Sequence, residues 1–371
     1  MNETNEINKR LDQMSLQTDD DWFVSGSEEN KNTIELFKAL KLSKQLKSDI
    51  REISNISREE IKMLVKIYYQ LQDNRKATRE QIRSIEDQEG KETNIAILDW
   101  LLKNYVVMEK GIVDCLELVC MSNEVGRWLL NIKAIGPVLA AGLLAYLDIE
   151  DKQYATQFMS YAGLNDNNRP WLGADKSKKI VNEIVGESKV VTDDMVVEIA
   201  AKTQWKYEYL RDNAYDPEKK RWNKANIIKA CSKVPYNKEL KVLMYKVGAS
   251  FQWRCNDAES LYGTLFSQRR VLETQKNENG EFAKQAAECM SKVGTGTVAY
   301  KSYKDGKLPK AHITARASRW AQKIFLSHLF EEMYRVKYDK VPPRYYSLEH
   351  CEGHHDEIEP EVPYTKVSSE K

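Results

Sequence analysis

Apolar residues recur at three- and four-residue spacing along most of this chain, a rhythm that predicts helices. A first helix is expected from near Asn32, carrying Ile34, Leu36, Phe37, Leu40 and Leu42. A second opens at Ser57, where Ser57-Arg58-Glu59-Glu60 has the form of a capping box, and runs through Ile61, Leu64, Ile67, Tyr68 and Leu71 towards Ile85. A third starts at Thr93 or Asn94 and continues through Ile97, Leu101, Tyr105, Met108 and Ile112 to about Cys120. Two long amphipathic helices joined by a short polar turn predict an antiparallel coiled-coil hairpin. Their charged faces are either solvated surface or an oligomer interface.

Between 122 and 173 the pattern is helix, tight turn, helix. Val125 to Leu130 supply one apolar face, Val138 to Leu147 another, and Ala134-Ile135-Gly136 the turn. Pro137 suits the first turn of the second helix. Gly136 permits a positive φ and exposes backbone N–H groups that would receive a phosphate beside Lys133. This is the pattern of a helix-hairpin-helix, and equally of a plain inter-helix corner. A helix over Tyr154–Tyr161 should end at Gly163, followed by a polar loop at 165–178 that contains Arg169.

Further helices are expected from Thr192, over 225–232 and after Pro235-Tyr236-Asn237-Lys238. The one after Asn237 carries Leu240, Leu243, Met244, Val247, Phe251 and Trp253. Another carries Tyr262, Leu265, Phe266, Arg269, Arg270 and Leu272, with 274–281 turn-like. The last, about 313–336, has an apolar face of Ile313, Ala317, Trp320, Ile324, Phe325, His328 and Leu329, with Arg316, Arg319 and Lys323 opposite. No strand alternation is sustained. The reading is an all-α protein: a disordered acidic N-terminus (1–30), a coiled-coil region (31–121), the hairpin module (122–173), a helical domain (174–340) and an extended or disordered tail (341–371).

Composition changes this picture little. At 371 residues the chain has room for several domains, and its net charge of +1 excludes a globally basic nucleic-acid binder. Any such role must rest on local patches. Six cysteines without pairing rhythm fit a reducing compartment, and no secretion signal or membrane-length apolar run is visible, so a cytoplasmic protein is expected.

The strongest patch lies at 298–340, where ten basic residues face four acidic ones and Tyr300, Tyr303 and Trp320 interleave. That composition suits phosphate contact and stacking. Lys310, His312, Arg316, Arg319 and Lys323 are its candidate contacts, and a solvated basic face is the alternative. His328 falls on the apolar side and reads as a core histidine. His350, Cys351, His354 and His355 have zinc-ligand chemistry but no second Cys/His pair at a fixed spacing, so adventitious metal affinity is the expectation. No phosphate-cradling glycine loop, paired nucleophile and base, or strand-borne carboxylate set is present. No cofactor is expected.

Ile132–Leu147 followed by Tyr161-Ala162-Gly163-Leu164 resembles the C-terminal half of the insertion-sequence-110 (Piv-like) transposases. There a helix-hairpin-helix precedes a YAGL-like element. His312-Ile313-Thr314 with Arg316 and Arg319-Trp320 is similar to a later segment of that family, and the helices over 58–120 to its coiled coil. The resemblance covers about 58–173 and 310–336; the stretch between reads as an insertion similar to those of phage and mobile-element proteins. It implies a nucleic-acid-binding protein, with DNA the expected partner and RNA the alternative, assembled as an oligomer through the coiled coil. Departures bear on chemistry. The family's RuvC-like nuclease half has no counterpart before the coiled coil. Its nucleophilic serine falls at Trp171 or Leu172, leaving Ser177 as the nearest candidate. The expectation is a transposase-like protein that holds nucleic acid without cutting it. An active recombinase or nuclease subunit, and a helical protein-interaction scaffold, stand as the alternatives.

Overall fold

The computed structural model describes residues 56–89, 96–150, 152–165, 171–186, 188, 190–343 and 358–368. The expected acidic N-terminus, the helix near Asn32, Arg169 and the cluster of His350, Cys351, His354 and His355 lie outside them. The fold is all-α; the only strands among the described residues are the two-residue pair Tyr215–Asp216 and Arg221–Trp222, in what reads as a loop from sequence. No described helix is long and apolar enough to cross a membrane.

The chain divides into two compact units, Met1–Asp148 and Ile149–Lys371. The boundary falls inside the 122–173 segment that reads as one module from sequence.

In the first unit, α1 (Arg58–Glu89) and α2 (Ala96–Met121) form the antiparallel hairpin. The Ser57 capping box is made, with the Ser57 amide donating to Glu60 (2.8 Å) and the Glu60 amide to Ser57 Oγ (3.2 Å). Arg75 on α1 pairs with Glu109 on α2 at 2.6 Å. Asn123 then caps α3 (Glu124–Leu130), accepting from the Gly126 amide, and a turn leads to α4 (Pro137–Tyr146). Small residues on α4 (Ala140, Ala141, Ala145) let it pack closely against both long helices, burying Leu143 and Leu147 with Leu116, Cys120 and Leu129.

The second unit begins with α5 (Ala155–Tyr161), which ends as expected at Gly163. The Leu164 amide reaches the Met159 carbonyl (2.9 Å), and Gly163 takes φ +67°, a left-handed turn that a side chain would strain and that Tyr236 crowds. Four helices follow: α6 (Gly173–Val185), α7 (Asp193–Thr203), α8 (Tyr207–Ala214) and α9 (Lys224–Cys231). They share a core of Val181, Val185, Val196, Ile199, Leu210 and Ile227. Helix α6 starts five residues before the expected end of the polar loop. Its internal face runs Ser177, Val181, Val185, a spacing of four.

A second core joins α10 (Lys238–Trp253), α11 (Leu261–Glu278) and α14 (Lys310–Tyr338), with α5 packed on α14. Phe251, Tyr262, Phe266 and Phe325 fill it, with Phe251 and Tyr262 stacked and Phe325 edge-on to both. Gly248 allows α10 to approach α14: a Cβ there would lie 2.4 Å from Ser318 Oγ. Two short helices, α12 (Ala283–Met290) and α13 (Val298–Lys304), escape the sequence reading. They close over a small core of Ala286, Tyr303, Leu308 and Ile313.

Residues 358–368 of the tail are pinned along α14. Ile358 meets His328, Thr365 bonds the buried Glu332 carboxylate through both its amide and hydroxyl, and Ser368 bonds Asp339. Glu361 accepts the amide of Leu261, the first residue of α11 (2.8 Å).

Candidate nucleic-acid interface

The hairpin turn differs in detail from its expected form. Gly136 has φ −90° and ψ 175°, not a positive φ. It stands as the N-cap of α4, a position that takes extended geometry, so glycine's left-handed freedom is unused. Ala134 and Ile135 are buried, and the Ile135 amide is spent on the Ile132 carbonyl (2.9 Å), so neither presents a donor. Pro137 has no N–H. The first intrahelical bond, from Ala140 to the Gly136 carbonyl, leaves the amides of Val138 and Leu139 without a backbone acceptor among the described residues. Gly136 and Lys133 are exposed beside them.

The basic segment at 298–340 is not one patch. Arg316, grouped with a solvated face by its spacing, instead turns inward. Its Nε donates to Glu273 Oε2 (2.6 Å), its Nη1 to Gln285 (3.2 Å), and its guanidinium lies 4.4 Å from the Phe282 ring centre. Glu273, on α11, also takes Arg269 at 2.6 Å, which sits over Trp320. Burial pushes the Glu273 carboxyl up, but the hydrogen bonds and charge of Arg316 and Arg269 outweigh it and hold the group below the ordinary carboxylate range. Sequence reasoning misses this arrangement because Glu273 lies in a polar run 43 residues before Arg316. At the far end of α14, Arg335 is occupied by Glu331 (3.1 Å) and Tyr364, and Lys337 by Glu150 (2.9 Å).

What remains exposed is the start of α14 and the α12–α13 pair before it: Lys301, Lys304, Lys307, Lys310 and Arg319, with Lys284 and Lys292 alongside. None of these seven forms an ion pair among the described residues. Lys323 is half-buried, one helical turn beyond Arg319. The loop before α14 is held by one side chain. Asn277 donates its amide to the Leu308 carbonyl (3.0 Å) and accepts from the Leu308 N–H (2.8 Å).

His312 is half-buried, with Nδ1 3.4 Å from the Tyr303 hydroxyl. Burial, then Arg319 and Arg316, lower its pKa below the usual imidazole range. It is therefore uncharged at neutral pH and adds little attraction for a phosphate.

Ser177 does not serve as a nucleophile in this arrangement. Its side chain is 0% exposed, inside the α6–α9 core, and its hydroxyl has no hydrogen-bond partner. With no hydrogen-bond partner, the hydroxyl has no base within reach among the described residues, and at 0% exposure it is closed to substrate. An unpaired buried hydroxyl costs stability, so Ser177→Ala is expected to raise the unfolding free energy by about 1 kcal/mol, measured by urea titration. A loss of more than 1 kcal/mol would show that the hydroxyl is paired after all. Among the described residues no cluster of three or more His, Cys, Asp or Glu is placed to hold a metal ion.

No protein-family model matches this chain, no curated protein matches it, and no solved structure matches it.

Proposed function

We propose that this protein binds nucleic acid, DNA in the first instance, through backbone phosphates and without reading bases, in the manner of a phage or mobile-element transposase stripped of its cutting chemistry. The observation that carries this reading is the set of unpaired cations at Lys301, Lys304, Lys307, Lys310 and Arg319, left exposed while the neighbouring Arg316 is neutralised by Glu273. A chain with net charge near zero that concentrates free cations on one small module has the electrostatics of a local polyanion grip. The hairpin turn, with exposed Lys133 and the start of α4, supplies a second candidate grip in the other unit.

Assembly through the coiled coil is part of the proposal. Helix α2 is apolar but leaves Ile97 80% exposed, with Trp100 and Met108 also open, so α1, α3 and α4 together do not cover its apolar faces. A second copy of the α1–α2 hairpin supplies that cover.

The test is a salt titration of binding to unrelated duplexes. Wild type should bind at low salt, with affinity falling steeply as salt rises. Reversing Lys307, Lys310 and Arg319 to glutamate should weaken binding at least tenfold on every sequence and flatten the log–log salt slope by about 2–3. Loss on one sequence but not another would overturn the backbone grip. Absence of binding by wild type even at low salt would overturn the function itself and favour the protein-interaction scaffold.

A further inference from the structure

The helix after Asn237 carries a surface that the grip above does not use. The buried side of α10 is Leu240, Leu243, Met244, Val247 and Phe251. Trp253 does not join it: at two residues beyond Phe251 it lies on the opposite side of the helix and is 87% exposed. Tyr245 is 75% exposed, and Val242 lies open between it and the helix start. Residues 238, 242, 245, 249 and 253 fall on one stripe, so Tyr245 and Trp253 stand about 12 Å apart along a single helix face.

Lys241, one turn before Tyr245, sits 4.1 Å from the ring centre of Tyr236. Asn237 joins this end to α5, its amide N–H on the Tyr161 carbonyl (2.9 Å) and its side-chain amide on the Tyr161 hydroxyl (2.9 Å). Tyr161 is itself exposed. The exposed face of α10 thus carries Tyr245 and Trp253 with Lys238 on the same stripe and Lys241 beside it, while the Tyr236 ring is taken up by Gly163 and Lys241. Helix α10 carries three lysines against one acid, Glu239.

A contiguous exposed apolar stripe, unlike single scattered residues, marks an interaction site. Alone the aromatics would fit a protein partner as well. Interleaved with lysines, they match what single-stranded nucleic acid requires: flat faces on which unpaired bases stack, and cations that follow the phosphates. A duplex offers stacked bases whose faces are not available to such a row. We propose that this face of α10 is a stacking platform for single-stranded DNA, with Tyr245 and Trp253 as its two seats. The proposal rests on the nucleic-acid reading above and adds the form of the ligand.

The experiment uses the full chain and fluorescently labelled 12-nucleotide oligothymidylate beside a 12-base-pair duplex, read by anisotropy. Stacking on one aromatic is worth about 1–3 kcal/mol per base, which corresponds to roughly 5- to 150-fold in affinity. The double variant Tyr245→Ala/Trp253→Ala should therefore lose at least tenfold on the single strand while duplex affinity stays within twofold. Trp253→Phe, which keeps a ring, should recover most of the loss. Both side chains are exposed, so an unchanged thermal midpoint separates lost stacking from lost folding. Single-strand affinity within twofold of wild type in the double variant overturns the platform while leaving the phosphate grip standing. Wild type that binds neither ligand overturns both. A wild-type oligomer that the double variant converts to a smaller species would assign the face to a second copy of the chain instead.

Discussion

Glu273→Ala should lower the stability of the second unit by about 3–5 kcal/mol, because it leaves two arginines partly buried with no counter-charge. Urea unfolding, followed by far-UV circular dichroism, measures it. The carboxylate is 2% exposed and both guanidiniums lie at 2.6 Å, so little water is present to replace it. Arg316 is also the link from α14 to Phe282 and Gln285, and through them to the α12–α13 pair. Glu273→Gln should cost somewhat less, since an amide still accepts one hydrogen bond. Replacing Glu273, Arg269 and Arg316 together by leucine or methionine should restore much of the loss, because well-packed apolar groups commonly equal a buried ionic triad. A cost below 1 kcal/mol for Glu273→Ala would show that the triad is a surface ion pair in effect.

Acid should weaken the same unit well before its carboxylates titrate. His328 is buried, with Nε2 donating to the Ile358 carbonyl (2.7 Å). That fixes the tautomer, so Nδ1 accepts from the Tyr262 hydroxyl (2.8 Å). Burial lowers its pKa from 6.5 to about 4, the Ile358 bond opposing only in part. The folded chain therefore holds this imidazole neutral where the unfolded chain protonates it. Its contribution is intact above pH 6.5, declines as pH falls, and is exhausted near pH 4, in total about 3 kcal/mol. Urea midpoints at pH 7, 6, 5 and 4 should trace that slope, and His328→Gln should remove it between pH 6 and 4.5. A slope unchanged in that variant would assign the acid sensitivity elsewhere. Below the ordinary carboxylate range Glu273 adds a loss of the same sign, since its folded pKa is also depressed.

How far the sequence alone reaches depends on whether the deciding contact is local. Caps at Ser57, Thr192 and Asn237 are readable because partner and acceptor lie three residues apart, and all three are made. The long helices follow from their own periodicity. Residues 274–278 look turn-like because they are polar, yet they remain helical. Thr274 bonds the Arg270 carbonyl within the same helix, and Asn277 finds its partner at Leu308. Helices α12 and α13 are short, eight and seven residues, and are held by packing on each other. Arg316 shows the limit most clearly: its spacing places it with Arg319, but a distant glutamate decides its role. Two burial states are legible from spacing alone. Ser177 shares the four-residue spacing of Val181 and Val185, which already places it inside, and Trp253 is out of phase with Phe251.

The Asn277 clasp on Leu308 bears on the proposed phosphate grip. A flexible loop of lysines must be ordered when a polyanion arrives, and that lost freedom subtracts from affinity. Here a single amide holds both backbone groups of Leu308, between Lys307 and Lys310, from a residue on α11. The backbone spacing of those two cations is thus set before any ligand is present. On the proposed reading, much of the entropy of docking would already be spent in folding.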